Sequence, residues 1–110
     1  MPTIQDYHAH VYYDAATLDR ARRVCETLRD TFAIPMGRMH EKNVGPHPRW
    51  SCQLTIPPDK FADVVSWLLL NRDGLTIFVH AQTGAELTDH TKHTLWMGEM
   101  LTLDLTGFHD

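Results

Sequence analysis

Eight of the 110 residues are histidine. Neutral imidazole is the commonest protein ligand for zinc, iron and copper, and it is the side chain that titrates closest to neutrality. His8 and His10 are separated by a single residue, a spacing that puts both on one face of a strand. His47 stands in a Gly45-Pro46-His47-Pro48 run, where two prolines hold it in a functional position or simply in a tight turn. His80 ends an apolar stretch, and His90 and His93 follow it. His40 and His109 have no supporting spacing and read as solvated or hydrogen-bonded side chains. Whether the others form a site depends on the elements that carry them.

Residues 6 to 13 alternate: Tyr7, Ala9, Val11 and Tyr13 fall on one side, His8, His10 and Tyr12 on the other, as in a strand with one buried face. Asp14 suits the N-cap of a helix in which Leu18, Ala21, Cys25, Leu28 and Phe32 recur at helical spacing, and Pro35 ends it. Gly37 to Glu41 reads as a short second strand, followed by the turn-forming run from Asn43 to Pro48. A third strand spans Trp50 to Ile56. Pro57-Pro58-Asp59 then opens a second helix with Phe61, Val64, Val65, Leu68 and Leu69 on its apolar stripe, stopped near Gly74. Leu75 to His80 form a fourth strand.

Strand, helix, strand, strand, helix, strand is the order of the ferredoxin-like βαββαβ sandwich, an α+β fold with two helices on one face of a four-stranded antiparallel sheet. The core then covers about residues 6–80 of a single domain. Residues 81–110 form a C-terminal extension in which Leu95-Trp96-Met97 and Leu101 to Leu105 are apolar enough to pack, as a fifth strand or across a dimer interface. In that topology the end of the fourth strand lies beside the start of the first. His8, His10 and His80 therefore share the face that the helices leave open, and the loop carrying His47 opens at the same end. Tyr12 and Phe78 share this face and line a pocket or an interface. An uncovered apolar face in a chain this short favours a homodimer.

Other residues carry weaker expectations. Glu41 is the carboxylate closest to the inferred site, or a solvated strand end. Arg49 could grip a substrate carboxylate through its bidentate fork, or sit on the surface. Trp50, Trp67 and Trp96 read as core and interface. Cys25 and Cys52 form no C-x-x-C motif and read as buried thiols of a reducing compartment.

Composition narrows the function classes. A net charge of −4 lacks the basic footprint of a nucleic-acid binder. No apolar run approaches the roughly 18 residues of a membrane span. Met1 to Asp6 have neither a basic nor an apolar region of an export signal, so the expected location is the cytoplasm.

The segments Tyr7-His8-Ala9-His10-Val11-Tyr12-Tyr13, Val44-Gly45-Pro46-His47-Pro48, Val79-His80-Ala81-Gln82-Thr83-Gly84 and Asp89-His90-Thr91, followed by Trp96-Met97-Gly98, together resemble the small DOPA 4,5-dioxygenase family of bacteria and fungi. The resemblance covers nearly the whole chain. It implies a ferredoxin-like domain, often dimeric, that opens the aromatic ring of catechols such as 3,4-dihydroxyphenylalanine with O2 in an extradiol, ferrous-iron-dependent reaction. The family's histidine motifs fall on His8, His10, His47, His80 and His90. On this reading His8, His10 and His80 hold Fe(II), with Zn(II) or Mn(II) as alternatives, His47 is the acid/base, and His90 assists it. Arg49, Tyr12 and Phe78 then face the substrate. Many non-haem iron oxygenases add a carboxylate to two histidines; here the site is all-histidine, or Glu41 or Asp89 completes it. A dimeric metal- or metabolite-binding module without catalysis is the competing class, because this fold hosts many functions.

Overall fold

A computed structural model of the chain describes residues 3–110; Met1 and Pro2, part of the segment read for an export signal, lie outside the described residues. Three strands follow the alternating runs: β1 (Asp6–Tyr13), β2 (Trp50–Ile56) and β3 (Thr76–Gln82). Two helices, α1 (Leu18–Phe32) and α2 (Phe61–Asn71), follow the apolar stripes, α2 behind a 3-10 turn at Pro58–Lys60. A helical turn, α3 (Glu86–Asp89), precedes the short strand β4 (Thr94–Met97). The sheet order is β2-β1-β3-β4 with every neighbour antiparallel.

The architecture is the expected α+β, ferredoxin-like one, with β1 central between β2 and β3. Ala9, Val11 and Tyr13 of β1, Cys52, Leu54 and Ile56 of β2, and Ile77 and Val79 of β3 all enter the core beneath the helices. From α1 come Ala21, Val24, Cys25 and Leu28, and from α2 Val64 and Leu68. Both cysteines are free and buried. Among the described residues no helix is long and apolar enough to cross a membrane.

Three local expectations change. The strand expected at Gly37 to Glu41 is reduced to one isolated bridge, Met36 to Leu54. The Gly37 amide donates to Gln53 O at 2.7 Å, but the next contact with β2 is made by the His40 amide on Ser51 O at 3.1 Å. Regular pairing from Met36–Leu54 would use Met39, so one extra residue bulges out and ends the ladder. The Tyr13 hydroxyl donates to both the His40 and Ser51 carbonyls, at 2.7 and 3.0 Å. On that side the sheet therefore has a ragged edge, and its fourth strand comes from the C-terminal segment instead. Asp14 does not cap α1 directly: Thr17 is the N-cap, and Asp14 and Thr17 exchange backbone-to-side-chain hydrogen bonds across the preceding turn, each at 3.0 Å. On α2, Leu69 is 62% exposed, and Trp67 packs against the core in its place.

Candidate metal centre

In the register of β1 and β3, His8 lies opposite His80 and His10 opposite Phe78. Side chains alternate along each strand, so placing Ala9 and Val79 under the helices sends all three histidines to the other face. There His10 Nε2 and His80 Nε2 are 3.1 Å apart. Each of the three rings offers a nitrogen, and these ligand atoms lie within 4.8 Å of one another. Among the described residues this is the one group of three histidine, cysteine or acidic side chains close enough to hold a metal ion.

Burial sets their protonation. His10 is held well below the ordinary imidazole range, first by loss of water and then by repulsion from His47, His80 and His8. Burial lowers His80 to about 4, against a small upward contribution from its bond to Ala81 O. His8, more open, is lowered by desolvation, opposed by Asp6 4.0 Å away. At neutral pH these are lone-pair donors and not cations, the state that ligation requires. His80 donates its Nδ1 proton to Ala81 O at 3.0 Å, which leaves Nε2 unprotonated and fixes the ring.

The spacing also suits an ion. Two imidazole nitrogens each about 2.1 Å from one metal stand about 3 to 3.5 Å apart at angles between a right angle and tetrahedral, and the 3.1 Å between His10 and His80 falls in that interval. The three histidines can therefore hold a metal ion.

Two further imidazoles flank the group. His47 is brought in by the proline-bounded loop, its ring centroid 4.2 Å from that of His10 and its Nδ1 2.7 Å from the Tyr12 hydroxyl. Burial lowers His47 to about 4 and raises the Tyr12 phenol, so at neutral pH both are uncharged. His90, just after α3, lies 4.0 Å from the His80 ring and donates from Nδ1 to Glu86 O at 2.7 Å.

Beneath them runs an aromatic floor. Phe78 stacks on Trp96 at 4.4 Å and on His10 at 5.8 Å, and Trp96 also stacks on Tyr12 at 6.1 Å. The face is not open. Tyr12 is 1% exposed and Phe78 0%, because the chain folds back over it. Phe108 stacks on His90 at 4.3 Å, and the Asp104 amide donates to Pro46 O at 2.9 Å.

The remaining residues singled out in the sequence lie apart from the cluster. Arg49 pairs with Glu99 at 3.1 Å. Glu41 is exposed in the bend after the ragged edge. Asp89 accepts from the Thr83 amide, the Thr83 hydroxyl and His93 Nδ1, at 2.7, 2.8 and 2.8 Å. That engagement gives His93 a partner outside the cluster. The carboxylate beside it is instead Asp6, two positions before His8 on the same strand. Trp96 and Phe108 were not expected here. Alternation in Leu95-Trp96-Met97 carried the signal for Trp96, since Leu95 and Met97 both face the core; nothing local marked Phe108.

Residues 7–107 match the Dopa 4,5-dioxygenase family. A DOPA 4,5-dioxygenase of Amanita muscaria is 33% identical over 94% of this chain and 50% of its own length. An uncharacterized 21.2 kDa protein of Botryotinia fuckeliana is 31% identical over 91% of this chain and 61% of its own. The chain thus spans roughly half to three-fifths of the curated relatives it matches. A crystal structure from Nostoc punctiforme, described as a candidate dioxygenase, superposes with a TM-score of 0.88 at 47% identity, covering 91% of this chain and 87% of that one. The chain belongs to the Dopa 4,5-dioxygenase family.

Proposed function

We propose that this protein is an extradiol dioxygenase that opens the ring of a catechol such as DOPA with O2 at a non-haem Fe(II) held by His8, His10 and His80. The observation that carries this reading is the convergence of three neutral imidazoles on one sheet face, with their ligand atoms within 4.8 Å, in a chain of this family. Zinc or manganese would suit the same donors. Bound iron would supply open positions for both catechol oxygens and O2, and Lewis acidity that lowers the catechol pKa.

The chain's own groups have separate tasks. His47 is neutral at pH 7, as a base must be to accept the second catechol proton at Nε2. Its Nδ1 faces the Tyr12 hydroxyl, which can donate or accept. That hydroxyl can therefore serve both tautomers and let His47 take a proton and return it to the departing oxygen. His90, with Nδ1 committed to Glu86 O, keeps Nε2 free beside His80. Phe78 and Tyr12, both buried, form the floor beneath the histidines, while Arg49 is paired with Glu99 apart from the cluster.

A single 110-residue domain in the cytoplasm fits the free buried thiols. A homodimer, expected from a bare sheet face, loses that ground because the face is covered by the chain itself, and sedimentation velocity measures it directly. The decisive test is to load the purified protein with Fe(II) anaerobically, add a catechol panel, and follow O2 uptake with appearance of a yellow semialdehyde. Turnover of at least one catechol is expected. Silence across the panel, with zinc tightly retained, would instead favour the binding module.

A further inference from the structure

A cavity opens on the helix-covered side of the sheet, where Tyr7, Val79 and Leu95 point. It measures about 440 Å³ and runs between the start of α2 and the β3–β4 edge, walled by Tyr7, Phe61, Val79 and Leu95, with His80 of the metal centre also in its lining. The Tyr7 and Phe61 rings pack at 4.2 Å as one aromatic wall. At its rim are Lys92 and His93. This is the usual make-up of a small-molecule site: an apolar body with a few polar groups at one end.

The rim is built as well as placed. Asp89 is 1% exposed, and a buried carboxylate is tolerated only when its oxygens are satisfied. Its partners are the Thr83 amide, the Thr83 hydroxyl and His93 Nδ1, so the His93 ring is held in one orientation. Asp89 is turned to Thr83 and His93, and Lys92 makes no ion pair among the described residues. Lys92 therefore brings an unpaired ammonium to the mouth of an apolar cavity in a chain of net charge −4. A second copy of this chain related by a two-fold axis would bring Lys92 toward Lys92, which disfavours it as the occupant.

We propose that this cavity is a second binding site, adjoining the metal centre at His80, for a small amphipathic carboxylate. The apolar body, aromatic or aliphatic, packs between Tyr7, Phe61 and Leu95, and the carboxylate meets Lys92 and His93. Titration calorimetry with 4-phenylbutyrate, using the neutral 4-phenylbutanamide as control, tests it on the metal-loaded protein. The acid is expected to bind saturably at one site per chain, and the amide and a Lys92→Gln variant to bind about fivefold weaker, the scale of an exposed ion pair. A Leu95→Trp variant, which fills the cavity, is expected to lose binding while retaining its metal. Should that variant fail to fold, the amide and Lys92→Gln comparisons decide alone. Equal affinity for acid and amide, unchanged affinity in Lys92→Gln, or absence of saturable binding would each overturn the proposal. Binding that weakens as protein concentration rises, together with a dimer in sedimentation, would make this face an interface between copies and overturn it as well.

Discussion

An imidazole taken out of water loses basicity, and four of them around the centre of this sheet do so together: His8, His10, His47 and His80. Neutral rings crowd without repulsion, whereas their cations at such distances would not. His80→Ala removes a nitrogen 3.1 Å from that of His10 and is expected to weaken Fe(II) binding by about a hundredfold or more, beyond the loss typical of an outer partner. Metal content after anaerobic loading measures it, and full occupancy with full activity would remove His80 from the ligand set. His47→Gln is expected to keep its iron and turn over about a hundred- to ten-thousandfold more slowly; loss of iron there would exchange the two roles. Tyr12→Phe strands the buried His47 Nδ1, whose partner lies at 2.7 Å. The expected cost is about 1–3 kcal/mol, read as a lower urea midpoint with unchanged m-value.

At the scale of elements, the site depends on a segment distant in sequence from β1. β4 pairs with β3 through Phe78–Trp96 and His80–Thr94, which sets the floor, and the chain beyond it returns over the face to bring Phe108 onto His90. The turn after β4 is tight. Gly98 has φ +84°, and a Cβ there would lie 2.9 Å from Arg72 Nη1. That arginine also donates to Leu75 O at 2.8 Å and ties the end of α2 to β3. Gly98→Ala is therefore expected to destabilise by about 1–3 kcal/mol through backbone strain alone, with displacement of Arg72 adding to it. Equilibrium urea unfolding checks this, and a neutral result would mean that the turn relaxes without cost.

For the whole molecule, a radius of gyration of 13.2 Å is close to the roughly 13 Å expected of one compact domain of this size. The buried histidines then tie global stability to pH. In the metal-free protein His47 and His80 titrate near 4, while the unfolded chain's imidazoles titrate at about 6.5. Above pH 6.5 neither state binds the protons and stability is at its full value. As pH falls from about 6.5 to 4 the unfolded chain takes them up first, so stability declines through that window and levels off below it. A decline on the order of a few kcal/mol is expected from these groups, measured as unfolding free energy between pH 7 and 4. A flat profile would mean that these rings are open to water in solution.

The sequence by itself determined which residues alternate and which recur every third or fourth position, and so β1, β2, β3, both helices and the face carrying His8, His10 and His80. These are consequences of local geometry: a one-residue slip in β1 would have buried the histidines under the helices and exposed Ala9 and Val11. The family was legible too, in motifs spread from Tyr7 to Gly98. Other features depended on contacts between residues far apart in the chain. The run at Gly37 to Glu41 has the length of a strand, yet a bulge against β2 leaves it a single bridge. Asp89 was one of two carboxylates that could complete the cluster, and Thr83 and His93 hold it away. The open face, read as calling for a second copy, is covered by the same chain. Only the folded molecule could decide this, because the backbone bond from Asp104 to Pro46 and the stacking of Phe108 on His90 have no periodic signature in sequence.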